Sequence, residues 1–151
     1  MGDGTLLDAT RRWANAFAAP MPEGLEQLLA LASDDIRFTD PFNDVSGKAG
    51  LRAILEDMTE RCREARFTIL DVAASERAGY IRWRFDFIPR GRGRSAWCFE
   101  GMSEIHLDAT GRVSVHADHW DSATQLYAKL PVVGWPLRRI RAALTVTPPP
   151  E

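Results

Sequence analysis

From Phe67 onward the hydrophobic pattern of this chain changes period, and that change limits the fold more than any other feature. Residues 67–73, 80–88, 95–107 and 113–120 alternate apolar with polar side chains. Between them lie Glu76-Arg77-Ala78-Gly79, Pro89-Arg90-Gly91-Arg92-Gly93 and Asp108-Ala109-Thr110-Gly111-Arg112. Alternation at period two is the pattern of strands with one buried face. Three hairpin-like turns in succession predict an antiparallel sheet.

The first sixty residues carry a different rhythm. Leu6, Leu7, Ala9, Trp13, Ala14, Ala16 and Phe17 recur at helical spacing behind a cap at Asp3 or Thr5, until Pro20 and Pro22 stop the run. Leu25, Leu28, Leu29 and Leu31 predict a second, short helix ending at Ser33-Asp34-Asp35, and residues 36–40 alternate as a short strand stopped by Pro41. Residues 43–47 read as a loop, and Leu51, Ile54, Leu55, Met58 and Cys62 form the stripe of a third helix. Helices followed by strands is the segregated order of an α+β fold, with helices laid on one face of a curved sheet.

A length of 151 residues fits one domain, expected over residues 1–144. Within it residues 122–144 form a helical extension of two short pieces broken by Pro131 and Pro136, and residues 145–151 a disordered tail. Arg138, Arg139 and Arg141 make the last helix basic. It reads first as a segment packing on its own domain or a second subunit, with contact to an anionic membrane the less expected alternative.

A net charge of −2 gives no broad basic field for nucleic acid, and no apolar run reaches the roughly 20 residues that span a bilayer. Cys62 and Cys98 have neither metal nor redox spacing, so two reduced, packed thiols and a cytoplasmic address are expected. Met1 to Thr5 carries neither the basic nor the apolar part of a secretory signal and reads as mature sequence.

The chemistry concentrates in Val115-His116-Ala117-Asp118-His119-Trp120-Asp121. On a strand His116, Asp118 and Trp120 share one face, opposite Val115, Ala117 and His119. If the first face looks into a cavity, it is the wall of a small-molecule site. His119 and His106 fall on the outer register. Only His116 and Asp118 share a face, too few ligands for zinc, so no metal is expected.

The order of elements, with Asp35-Ile36-Arg37-Phe38-Thr39-Asp40-Pro41-Phe42, Gly47 and the closing strand to Trp120, resembles the nuclear transport factor 2-like superfamily over roughly residues 5 to 121. Within it the texture is similar to the SnoaL-like polyketide cyclases and the ketosteroid isomerases, in a bacterial branch of its own. The resemblance implies a conical barrel: a curved, mainly antiparallel sheet packed against three N-terminal helices. It turns His116, Asp118 and Trp120 inward, with Trp97, Phe99, Gly101, Ser103 and Ile105 on the preceding strand and Trp83, Phe85 and Phe87 on the one before.

By the same resemblance Asp40 matches the proton-shuttling base of the isomerases, and Asp118 the acid/base aspartate of the SnoaL-like cyclases, with His116 beside it. Each also has a plainer reading. Asp40 is then a turn residue bonding backbone N–H groups ahead of Pro41, and Asp118 with His116 a satisfied pair holding the strand to a helix. Trp13 and Ser103 fall where the isomerases carry their donors to the enolate oxygen, and Trp13, Phe17, Trp83, Phe85, Phe99, Ser103 and Trp120 are expected to line a deep pocket.

Such a pocket takes a small, largely apolar molecule bearing a carbonyl or hydroxyl, and any chemistry there is cofactor-independent isomerisation or cyclisation. The alternative is a non-catalytic ligand-binding, dimerisation or protein-interaction domain. A homodimer is the expected assembly.

Overall fold

The computed structural model describes residues 3–91 and 93–149, without the side chains of residues 3–5. The expected cap, Asp3 or Thr5, and Arg92 of the arginine-rich turn therefore lie outside the described side chains. The chain divides into two units, Met1–Trp120 and Asp121–Glu151.

In the first unit α1 (Asp3–Ala18) and α2 (Glu23–Leu31) lead into β1 (Ala32–Thr39), followed by β2 (Asp44–Ser46), α3 (Gly47–Arg61), β3 (Cys62–Ala74), β4 (Gly79–Pro89), β5 (Trp97–Leu107) and β6 (Val113–His119). The six strands form one curved, unclosed mixed sheet in the order β2-β1-β6-β5-β4-β3. All pairings are antiparallel except β1 with β6. This is the α+β cone expected from the sequence.

Alternation decides which face is inside. Ile81, Trp83, Phe85 and Phe87 of β4 and Phe99, Ser103 and Ile105 of β5 are buried, while Arg82, Arg84 and Glu100 are exposed. The buried side of α1, with Ala9, Trp13, Ala14, Ala16 and Phe17, closes the concave face. Removing such apolar area from water is the main stabilising term of the unit.

Several boundaries differ from the sequence reading. β1 begins at Ala32 rather than Ile36: Ala32 and Ser33 are buried, and Ala32 pairs with Val113 ahead of an irregularity in register. That irregularity lets Asp34 and Asp35 stay exposed within a strand. The expected loop at 43–47 contains β2, whose Asp44 receives two hydrogen bonds from the Arg37 guanidinium at 2.9 and 2.7 Å. An edge strand needs only ladder bonds and such a pair, so it carries no hydrophobic signal. Cys62 is the first residue of β3, not part of the α3 stripe, and Trp120 lies just past the end of β6.

The β5–β6 turn is organised by one carboxylate. Asp108 accepts from the Thr110 hydroxyl and from the backbone N–H groups of Thr110 and Arg112, at 2.7, 2.8 and 3.0 Å, and Gly111 supplies a φ of +82°. The Thr110 hydroxyl first, then the Arg112 amide, hold the Asp108 carboxyl below its usual range. A depressed folded-state pKa means that the turn's contribution is fully present above the unfolded carboxyl value and is lost as pH falls below it. Amide exchange at Thr110 and Arg112 should therefore show protection that is flat near neutrality and fades only below about pH 4. Protection unchanged into strong acid would remove Asp108 from this role.

The second unit contains α4 (Ser122–Gln125), a 3₁₀ turn (Tyr127–Lys129) and α5 (Gly134–Leu144). These are three pieces rather than two. Pro136 does not interrupt α5, because it sits in the first turn, where a backbone N–H has no intrahelical partner to lose. Asp121 caps α4 by accepting from the Thr124 amide at 3.0 Å. No helix among the described residues is long and apolar enough to cross a membrane.

Candidate functional site

The site is built from α1, β1, β3, β4, β5 and β6. On β6, His116 and Asp118 are two residues apart and project to the same side, so the imidazole Nε2 meets Asp118 Oδ1 at 2.7 Å. From α1 the indole N–H of Trp13 donates to His116 Nδ1 at 2.9 Å. An indole nitrogen can only donate, so Nδ1 must be the accepting nitrogen. The ring proton is therefore on Nε2, and His116 donates it to Asp118. Phe38 stacks on the imidazole at 4.7 Å with Phe17 at 5.0 Å, which fixes the plane of the ring.

β5 contributes from the other side. Ser103 is the register partner of Asp118, and its hydroxyl donates to the same Oδ1 at 2.5 Å. Ser103 Oγ in turn accepts from the Trp83 indole at 2.9 Å. Two indoles thus anchor a chain of donors converging on a single carboxylate oxygen, and every hydrogen bond described at Asp118 goes to Oδ1. His116 is 3% exposed and Asp118 17% at the side chain, so the carboxylate keeps partial access.

Ser103, His116 and Asp118 border a cavity of about 20 Å³ whose apolar wall includes Ala14, Phe17, Phe67, Ile69, Ile81 and Trp83. That volume holds about one water molecule. The deep pocket expected from the sequence is therefore largely filled by its own rings: Phe67 packs edge-on against Phe17 and Trp83 and stacks on Phe85 at 4.4 Å. Phe67 and Ile69, on the alternating segment 67–73, are cavity residues beyond those expected, and their signal is the register they share with Phe85 and Trp83.

Phe85, Phe99 and Trp120, expected as pocket wall, do not border this cavity. They belong to a continuous run of rings, Phe85–Phe87–Phe99–Trp120–Phe42, that ends at the half-exposed Phe42. Gly101 permits the run, since a Cβ there would lie 2.6 Å from the Trp83 ring and 2.8 Å from Trp120 Cβ.

Other expected site residues are differently employed. Asp40 is the turn residue: Oδ1 accepts from the Phe42 and Asn43 amides at 2.7 and 2.8 Å, and the Asn43 side chain reaches both oxygens. It does not border the cavity. The expected donors to a ligand, Trp13 and Ser103, give their protons to His116 and Asp118. His119 is exposed, and His106 pairs with Glu104 at 2.6 Å on the outer face. Among the described residues no His, Cys, Asp or Glu group of three or more is placed to hold a metal.

A larger depression, about 620 Å³, lies between α2 and α3. Its Arg52 pairs with Glu26 and Glu56, and its Lys48 pairs with Asp34. It shares no residue with the Asp118 cavity and presents no uncompensated charge.

The SnoaL-like domain family matches residues 10–116, a span that runs from the middle of α1 to His116 of β6. The chain belongs to this family. The SnoaL-like unit is nuclear transport factor 2-like in fold, and solved structures agree with it. A nuclear transport factor 2-like protein of unknown function from Exiguobacterium is 18% identical, covering 75% of this chain and 98% of its own at a TM-score of 0.65. A putative polyketide cyclase from Xanthomonas campestris is 11% identical, covering 79% and 92% at 0.64. An epoxide hydrolase of Mycobacterium tuberculosis is 19% identical, covering 94% and 96% at 0.64. No curated protein matches the chain significantly. At these identities the likeness shows the fold alone.

Proposed function

We propose that the SnoaL-like domain binds a small, largely apolar molecule carrying a carbonyl or hydroxyl beside Asp118, and that Asp118 accepts a proton from it. One observation carries the reading: both donors given to the carboxylate go to Oδ1, which leaves Oδ2 as the oxygen outside those bonds. Apolar walls limit the cavity to about one water molecule, and the indole-anchored chain holds the acceptor in one orientation. His116 is then a positioning residue, because both of its nitrogens are engaged. A bound molecule larger than water shifts the Phe67 and Phe17 rings. The transfer needs only the carboxylate and no cofactor. A cytoplasmic homodimer belongs to the same proposal.

The names borne by the neighbours, a cyclase and an epoxide hydrolase, fit a site for small neutral organic molecules. The small cavity favours a second reading, a non-catalytic binding or interaction domain. Deuterium exchange next to the carbonyl of a panel of small cyclic ketones, followed by mass spectrometry, separates the two. The proposal expects wild-type protein to accelerate exchange for some members, and Asp118→Asn to lose it. No acceleration over buffer across the panel, or equal rates in the variant, sinks it.

A further inference from the structure

We infer that α5 is an in-plane anchor for an anionic lipid surface. Val133, Leu137, Ile140 and Leu144 recur at i, i+4, i+7 and i+11, which puts them on one side of the helix. That stripe is mostly uncovered: Val133 is 45%, Ile140 57% and Leu144 78% exposed, Leu137 is partly buried, and the flanking Val132 and Val146 are exposed too. Such a row of large apolar residues requires a partner.

The charge beside the stripe identifies it. Residues 122–149 contain Lys129, Arg138, Arg139 and Arg141 and no aspartate or glutamate. Segment-to-segment pairing of two copies would bring these four cations against four, offset only by Asp121 and Glu151 at the ends of each unit. An anionic bilayer supplies both the apolar medium and the negative field. Eleven helical residues rise roughly 16 Å, about half a hydrocarbon core, so the helix lies along the surface and does not cross it. Arg139 and Arg141 keep their heads near the phosphates while the stripe enters the acyl boundary, and Arg138 adds its charge while donating to the Ala128 carbonyl.

An anionic surface is the less expected of the two alternatives that the sequence offers for this helix. Such an anchor extends the protein beyond the span of its family match, which ends at residue 116. It does not depend on the chemistry at Asp118.

The full chain is tested by co-sedimentation with vesicles of phosphatidylglycerol mixed with phosphatidylcholine, and of phosphatidylcholine alone. Binding is expected only to the anionic vesicles, and it should fall in about 1 M salt, where charges are screened beyond roughly 3 Å. The triple variant R138A/R139A/R141A should bind about 100-fold more weakly, at roughly fivefold per basic residue. I140S/L144S should also lose binding.

No binding to anionic vesicles, or binding indifferent to salt or to either variant, overturns the inference. So does a wild-type oligomer that dissociates in I140S/L144S while vesicles are ignored, which would assign the stripe to a second copy. Thermal melts matching wild type show that the variants remain folded.

Discussion

Trp13→Ala should lower the unfolding free energy of the SnoaL-like unit by roughly 3–5 kcal/mol through lost ring burial and the cavity left behind. A further ~1–3 kcal/mol should follow from the buried His116 Nδ1 losing its donor. Trp13 is fully buried and its indole nitrogen is 2.9 Å from that acceptor. Domains of this size are ordinarily stable by about 5–15 kcal/mol, so the alanine variant should give little folded protein at 37 °C. Trp13→Phe keeps most of the ring and removes the N–H. It should cost ~1–3 kcal/mol in urea denaturation followed by circular dichroism, and nitrogen NMR should show His116 losing its single tautomer. A phenylalanine variant as stable as wild type, with the tautomer unchanged, would show that the Trp13 bond does not set the ring.

The wall of the site was readable before the fold because alternation at period two has one physical cause. Trp83, Phe85 and Phe87 cannot face water while Arg82, Arg84 and Asp86 face the core, so the register of β4 follows from composition. The same reasoning placed His116 with Asp118 and set His119 outside. It misplaced the start of β1, since Ser33-Asp34-Asp35 looks like a turn, and only pairing with Val113 makes it strand. It missed β2, whose three residues are held by ladder bonds and one arginine. Pro136 misled in the opposite direction, because its effect depends on whether it falls in the first turn of a helix or later.

The polar groups were legible as an inventory but not as a circuit. Nothing in the spacing of Trp13, Ser103 and Trp83 reveals that one indole meets an imidazole and the other a hydroxyl, 103 and 20 residues away along the chain. Both indoles spend their protons inside the protein, and so does Ser103, which removes them as ready donors to a ligand. Asp40 illustrates the same limit. An aspartate before proline suits a pocket edge or a turn equally well, and the turn is visible only once Asn43 closes around its carboxylate. Cavity size was the least accessible quantity, because it depends on rings from α1, β3 and β4 meeting at one point.

The asymmetry of Asp118 makes asparagine the informative replacement. Both described bonds end on Oδ1. The asparagine carbonyl can occupy that position and accept from Ser103 and His116, with its amide group where Oδ2 was. The reverse orientation would set N–H groups against two donors and is disfavoured. Asp118→Asn should therefore change stability by less than about 1 kcal/mol. The amide cannot take up a proton, so carbonyl-adjacent exchange should fall by about 10²–10⁴-fold, the usual worth of a positioned base. Asp118→Ala strands both donors and should cost roughly 1–3 kcal/mol for each. If the asparagine variant is instead as unstable as the alanine variant, the carboxylate's charge holds the strand and the structural pair is the better reading. If it is stable and exchanges ketone protons at the wild-type rate, the base lies elsewhere. A stable Asp118→Asn variant that has lost the exchange is the one result that a purely structural pair does not produce.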